Sequence, residues 1–100
     1  MTDELGKKEL EFEDAKAQRL IAKHRLDAAR GRLHMTLVAR REAGENLTIA
    51  DMKAILAKAI DYDELVKDAY LKFIAADSAY RAAKIAYDCE VRLYWDGKGK

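Results

Sequence analysis

Apolar side chains in the second half of the chain recur every seven residues, and this pattern predicts a long helix. Large residues share one heptad position, and alanines fill the position three residues further on. These positions are Val66, Phe73, Tyr80, Tyr87 and Tyr94, with Ala69, Ala76 and Ala83 between them. Such a stripe is typical of a helix that packs closely on a second helix. We therefore interpret the row of rings as the seam of a helix pair rather than as a surface that stacks a ligand.

The first half of the chain repeats this arrangement. Its heptad stripe consists of Leu5, Phe12, Leu26 and Leu33, interleaved with Ala15, Ala22 and Ala29. Because alanine lets two backbones approach closely, the two stripes match as packing partners. The sequence predicts an all-α fold, an antiparallel hairpin of two long helices with a short connecting helix and an alanine-rich, coiled-coil-like seam.

Local chemistry sets the predicted helix boundaries. Gly44 is a natural residue to follow a helix C-terminus. Thr48 with Asp51 three residues later forms a capping-box pattern, and Asp61 with Glu64 indicates a second restart. We predict a single helical domain over residues 1–96, with helices at about 3–43, 49–60 and 62–96, and a disordered basic tail over 97–100.

A second apolar stripe lies on the far side of the first predicted helix. It comprises Leu10, Ala17, Ile21, Ala28, Met35 and Val38. One hairpin partner cannot cover both sides of this helix, and a helix that is apolar on two sides usually has two partners. We therefore predict a homo-oligomer, an assembled bundle of hairpins that uses these six residues as its interface.

Composition narrows the class of protein further. The chain contains no proline, which favours long uninterrupted helices, and Cys89 is its single cysteine. An intrachain disulfide is therefore excluded, and a cytoplasmic location is the default expectation. The acidic N-terminal segment lacks the apolar core of a secretory signal, and no stretch is apolar enough to span a membrane. We expect no membrane contact.

No residues combine into a pattern that predicts catalysis. His24 and His34 lie ten residues apart, too far for joint ligation of one metal ion, and Cys89 has no histidine near it in sequence. The acidic run from Asp61 to Glu64 lacks the glycine and the ligand spacing of a calcium loop. We expect no enzymatic activity, no metal site and no cofactor.

Charge is strongly segregated along a chain whose formal net charge is only +1. Eight basic residues lie between Lys16 and Arg41, against Asp27 as the one acid. Recurrent cations along a helix can follow a phosphate backbone without reading bases. Aromatic side chains at the end of the last predicted helix can add stacking. The predicted nucleic-acid contacts are Lys16, Arg19, Lys23, Arg25, Arg30, Arg32, Tyr94 and Trp95. A solvated basic face that pairs with acidic segments of neighbouring subunits is the alternative.

Three stretches resemble small helical phage proteins that consist of a long helix, a G-x-x-L-T-x-A break and a second long helix ending in an aromatic residue. They are "RLHMTLVARREAGENLTIADMKA", "AIDYDEL" and "AYRAAKIAYDCEVRLYW", within about residues 25–96. The pattern is similar to recombination mediators of the UvsY type. That resemblance implies a ring-shaped assembly in a bacterial host cell that binds single-stranded DNA. It also implies a recombinase or a single-strand-binding protein as partner.

Two functional hypotheses follow from these patterns, and a purely structural helical assembly element without a ligand is a third alternative. The first is a non-enzymatic, oligomeric protein that binds nucleic acid, preferentially single-stranded, as an accessory to phage-type recombination or replication. The second is a helical protein-interaction module or inhibitor that docks on a partner protein without binding nucleic acid, its basic face meeting an acidic surface.

Overall fold

The computed structural model describes residues Thr2 to Lys98 and contains four helices. They are α1 (Thr2–Glu42), α2 (Ile49–Ala57), α3 (Ala59–Tyr62) and α4 (Glu64–Lys98). No strand occurs between Thr2 and Lys98. The long helices α1 and α4 pack against each other as a hairpin, with the short helices in the connection. The predicted all-α helical hairpin is therefore confirmed.

The C-terminus of α1 is closed by a glycine turn. Gly44 adopts a φ of 103°, a backbone conformation that residues with a side chain rarely adopt. The amide of Gly44 donates to the carbonyl of Arg41 over 3.1 Å, and the amide of Glu45 donates to the carbonyl of Arg40 over 3.1 Å. These two bonds form a Schellman motif, and they satisfy carbonyls that the end of a helix would otherwise leave without donors.

The start of α2 carries the predicted capping box. The Thr48 hydroxyl accepts a hydrogen bond from the Asp51 amide, and the Asp51 carboxylate accepts one from the Thr48 amide, both over 3.0 Å. The hydrogen bond from the Thr48 amide is the main reason why the pKa of the Asp51 carboxyl lies below its ordinary value, and the Thr48 side chain adds to the effect. Sequence and structure agree on this helix start.

The following helix boundaries differ from the prediction. The predicted helix over 49–60 is divided at Lys58, which separates α2 from α3. The long helix restarts at Glu64 rather than near residue 62, and its first turn is capped by Asp63, whose Oδ1 accepts from the Val66 amide over 3.0 Å. At the other end α4 continues through Gly97 and Lys98. The remainder of the predicted tail, Gly99 and Lys100, lies outside the described residues.

The chain divides into two compact units. We call residues 22–73 the central unit, and we call the described parts of residues 1–21 and 74–100 the terminal unit. Each unit contains a portion of α1 and a portion of α4. The single domain over residues 1–96 stays a prediction.

The core of the central unit forms where α1, α3 and α4 meet. Leu26, Ala59, Val66 and Ala69 are buried in one cluster, and Ala29, Leu33, Ile60, Tyr70 and Phe73 pack against it. The heptad positions predicted for the seam supply three of the four buried residues of this cluster, and Ala59 of α3 is the fourth. Leu37 and Val66 are the two largest fully buried side chains of the central unit.

The seam of the terminal unit consists of rings. The Phe12 ring lies 5.5 Å from the Tyr80 ring and 5.4 Å from the Tyr87 ring, centroid to centroid, and it stacks on Tyr87 with an interplanar angle of 14°. Offset pairs at such distances stabilise a protein beyond the burial of their area. The tyrosine row is thus a packed seam, as the heptad pattern indicated.

Candidate nucleic-acid interface

Four cations on the α1 portion of the central unit form the most coherent charged surface. Lys23, Arg25, Arg30 and Arg32 are all exposed. None of the four forms an ion pair with another residue in the range 2–98. Asp27 is the one acid between Lys23 and Arg32 in the sequence. We call these four residues the basic patch.

Helix geometry divides the basic patch into two rows. Residues seven apart in an α-helix lie on nearly the same side, about 10 Å apart along the axis. Lys23 and Arg30 therefore form one row, and Arg25 and Arg32 form the other, on opposite flanks of α1. The buried side chains of Ala22 and Leu26 lie between these rows on the side that faces the core. Packing of that side fixes the rotation of the helix, and with it the direction of each row.

The two predicted cationic contacts in the terminal unit have partners of their own. Arg19 Nε lies 2.7 Å from Asp77 Oδ1, and its guanidinium carbon lies 5.1 Å from the centroid of the Tyr80 ring. Lys16 Nζ lies 3.2 Å from Glu13 Oε1 and 4.9 Å from the centroid of the Phe12 ring. Both cations thus help to close the aromatic seam, so they are less available to a phosphate than the basic patch.

Asp77 is the electrostatic centre of the terminal unit. Its carboxylate also accepts from Arg81, with Arg81 Nε 2.9 Å from Asp77 Oδ2. The hydrogen bond from Arg19 is the main reason why the pKa of Asp77 lies below its ordinary value, and the charge of Arg81 adds to the effect. Of the predicted nucleic-acid contacts, Asp77 forms an ion pair with Arg19.

The predicted aromatic contacts lie at the end of α4. The rings of Tyr94 and Trp95 meet edge to face, with centroids 5.5 Å apart. Trp95 is exposed and Tyr94 is half-buried. A shallow depression beside Tyr94 is lined by Glu4, Glu90, Leu93 and Gly97. Two carboxylates beside the ring disfavour a phosphate there, so the basic patch is the stronger candidate for backbone contact.

The predicted oligomer interface on α1 is open to solvent over most of its length. Leu10, Ala17 and Ile21 are exposed in the terminal unit, and Ala28 and Met35 are exposed in the central unit. Val38 differs from the other five because it is half-buried. The structure thus provides the exposed apolar residues that the prediction requires, and their role in assembly stays a prediction.

A second exposed apolar surface, which the predicted interface did not include, lies on the part of α4 in the terminal unit. Ile74, Ile85 and Leu93 are large and exposed on this helix. The signal was present as an interval of eleven residues, which returns to the same side of a helix after three turns. It relates Ile74 to Ile85 and Ala82 to Leu93. A heptad repeat does not contain this interval.

Two kinds of feature are absent from residues 2–98, a cluster of metal ligands and a membrane-spanning helix. That part of the chain contains no group of three or more His, Cys, Asp or Glu side chains arranged to hold a metal ion. None of its helices is long and apolar enough to cross a membrane.

Comparison with known proteins adds no relative: no protein-family model, curated protein or solved structure matches the chain.

Proposed function

We propose that the protein binds the phosphate backbone of nucleic acid through the basic patch, without reading sequence and with preference for single strands. The observation that carries this proposal is the exposure of Lys23, Arg25, Arg30 and Arg32 without acidic partners among the described residues. Cations in this condition exchange bound counterions for phosphates at little structural cost.

The arrangement of the patch supports the preference for single strands. Its two rows lie on opposite flanks of one helix, so a strand that touches both must bend around α1 within a few nucleotides. Duplex DNA resists such bending, because its persistence length is about 50 nm. A single strand is flexible enough to follow the curve. Several copies on one strand would add their weak contacts through effective concentration.

The biological setting of this activity is the further part of the proposal. The resemblance to phage recombination mediators favours a non-enzymatic accessory role in recombination or replication, with a recombinase or a single-strand-binding protein as partner. In that role the protein would act in the cytoplasm of a bacterial host.

The test is a binding titration with matched charge variants. Fluorescence anisotropy of a labelled thymidine oligonucleotide and of a duplex would be followed at two salt concentrations. The variant R25A/R30A/R32A removes three charges from the patch. The variant K53A/K67A/K84A removes three exposed charges elsewhere. We expect binding to weaken roughly tenfold or more in the first variant and much less in the second. Absence of binding by the unmodified protein at low salt would overturn the proposal.

A second candidate function is supported by the exposed apolar residues of α1. Leu10 is 73% exposed and Met35 is 65% exposed, and apolar surface that is left in solvent is a recurring feature of protein–protein interaction sites. They favour a protein-interaction module or inhibitor that docks on a partner. Affinity capture with and without nuclease distinguishes the two functions. A partner that is retained after nuclease treatment, together with no direct DNA binding, would support the second.

A further inference from the structure

An uncharged row of side chains covers the side of α4 that faces away from the aromatic seam of the terminal unit. The row consists of Ile74, Ser78, Ala82, Ile85, Cys89 and Leu93, and we call it the outer face of α4. All six residues are exposed. At about 100° of rotation per residue they lie within an arc of about 100° on the helix. Nothing in the terminal unit covers this face between Ile74 and Gly97.

One flank of the outer face carries alternating charges at symmetric spacing. The order is Asp77, Arg81, Asp88 and Arg92, with intervals of four, seven and four residues. When the order is reversed, the intervals stay the same and every sign is exchanged. This flank is therefore complementary to itself in an antiparallel arrangement. The opposite flank carries the small residues Ala75, Ala79 and Ala86, followed by Glu90 as its charged residue.

We propose that the outer face of α4 binds the outer face of α4 in a second copy of this chain, antiparallel and about a two-fold axis. The pairing sets Ile74 opposite Leu93 of the second copy, Ser78 opposite Cys89, and Ala82 opposite Ile85. Each contact occurs twice, as an isologous interface requires. The small residues in the inner layers allow the two helices to approach closely.

The charges select this arrangement over a parallel one. In the antiparallel register Arg81 lies within about two residues of Asp88 of the second copy, a displacement of about 3 Å along the axis. Their side chains lean towards each other, because helical side chains point towards the N-terminus of their own helix. A parallel pairing would place this flank against the alanine flank, where Arg81 and Asp88 find no opposite charge. Asp88 also has no ion partner within the described part of its own chain.

Disulfide formation reports the register directly. In the proposed pairing two copies of Cys89 are displaced by eleven residues, about 16 Å, which exceeds the roughly 7 Å between Cα atoms that a disulfide can span. The variant S78C places a cysteine opposite Cys89 of the second copy. We expect mild oxidation to convert S78C to covalent dimers on a denaturing gel. The unmodified protein and the control A54C, whose new cysteine takes an exposed position on α2, should stay largely monomeric. Peptide mapping should show residue 78 joined to residue 89. Direct linkage of Cys89 to Cys89, or equal yields from S78C and A54C, would overturn the proposal.

Self-association without cross-links provides an independent measurement. Ile85 is 65% exposed and Leu65, in the part of α4 within the central unit, is 61% exposed, so neither I85E nor L65E disturbs a core. Sedimentation equilibrium should show a dimer for the unmodified protein and for L65E, and a monomer for I85E. R81E should weaken the dimer several-fold, and R81E/D88R should restore it, because the exchange recreates opposite charges across the axis. A monomeric unmodified protein, or an I85E variant with unchanged mass, would overturn the proposal. Neither result bears on nucleic-acid binding, since the basic patch lies on α1.

Discussion

Arg19 and Asp77 join α1 to α4 through an ion pair, with Nε 2.7 Å from Oδ1, between residues that are 58 positions apart in sequence. Tyr80 lies beneath the guanidinium, and Arg81 holds the other carboxylate oxygen. The pair therefore fixes the relative position of the two helices along the seam of the terminal unit.

Stability should depend on the ionisation of Asp77. Its pKa is lower in the folded chain than in the unfolded chain, chiefly because Arg19 hydrogen-bonds to the charged form. Its contribution to stability is thus fully present above the unfolded pKa of about 3.9, and it is lost as the pH falls through the lowered folded value. We expect D77N to be less stable than the unmodified protein at pH 7, and the difference to shrink on acidification below about pH 4. Urea denaturation at several pH values measures this.

The control for that experiment is D27N, which removes the same charge from an exposed site on α1 where the described chain offers no ion pair. A double-mutant cycle with R19Q then isolates the coupling. If R19Q and D77N destabilise additively, the pair seen in the structure has no energetic role in solution.

Replacement of glycine by alanine should have opposite effects at two positions of the chain. At Gly44 the φ of 103° strains any residue with a side chain, so G44A should lower the free energy of unfolding by about 1–2 kcal/mol. Gly31 lies within α1, and a Cβ added there meets nothing within 4 Å. G31A should raise the free energy of unfolding by about 0.5–1 kcal/mol. Chemical denaturation of both variants provides the comparison, and changes of the same sign would contradict the glycine turn at the end of α1.

Loss of the α2 cap should be measurable and specific to the hydroxyl. T48A removes the acceptor for the Asp51 amide, which should cost about 1 kcal/mol. T48S keeps the acceptor and should stay close to the unmodified protein. Equal destabilisation by the two substitutions would mean that the methyl group of Thr48, rather than its hydroxyl, stabilises the helix start.

Local signals of this kind explain which parts of the fold are readable from sequence. Thr48 and Gly44 act on amides and carbonyls within five residues, so their types alone identify a helix start and a helix end. The heptad stripes likewise identify the seam, because the period of the pattern equals that of close helix packing. These two kinds of information predicted the hairpin and its first turn correctly.

The connection between the long helices depends on contacts that sequence spacing does not reveal. Asp61 has the pattern of a cap, yet its amide bonds to the carbonyl of Lys58 over 2.9 Å, so it lies inside a helical turn. The Tyr62 hydroxyl donates to the carbonyl of Ile55 over 2.7 Å and holds that turn against α2. Asp63 then becomes the cap of α4. Asp61 and Asp63 are the same residue type, so tertiary packing decides which of them caps α4.

The sequence identified the residue types of the candidate site, but it did not show which of the cations form ion pairs with acids. Six basic positions looked alike in the sequence, and the structure divides them according to whether an acid lies within reach. Arg19 meets Asp77 and Lys16 meets Glu13, whereas no residue of the basic patch forms an ion pair with an acid in the described part of the chain. Ion pairs across a seam require the register of two helices, which one sequence does not define.

Truncation of a buried side chain should lower the free energy of unfolding, whereas truncation of an exposed one should hardly change it. Leu37 is fully buried, and L37A should lower the free energy of unfolding by about 2–5 kcal/mol. Leu10 is 73% exposed, so L10A should change it by less than about 0.5 kcal/mol. Urea denaturation at low protein concentration keeps self-association out of the comparison. A cost for L10A that grows with protein concentration would instead identify Leu10 as part of an interface between copies, as the stripe on α1 predicts.

The salt dependence of binding should report how many cations of the basic patch contact phosphates. For a single strand, the logarithm of the binding constant falls with the logarithm of salt concentration with a slope of about −0.7 per phosphate contact. Removal of Arg25, Arg30 and Arg32 should therefore make the slope shallower by about 2. The K53A/K67A/K84A variant, with the same net charge, should keep the original slope, because those lysines lie outside the patch. Anisotropy titrations over a series of salt concentrations measure both slopes. Equal slopes for the two variants would show that net charge, and not the basic patch on α1, determines the attraction to the strand.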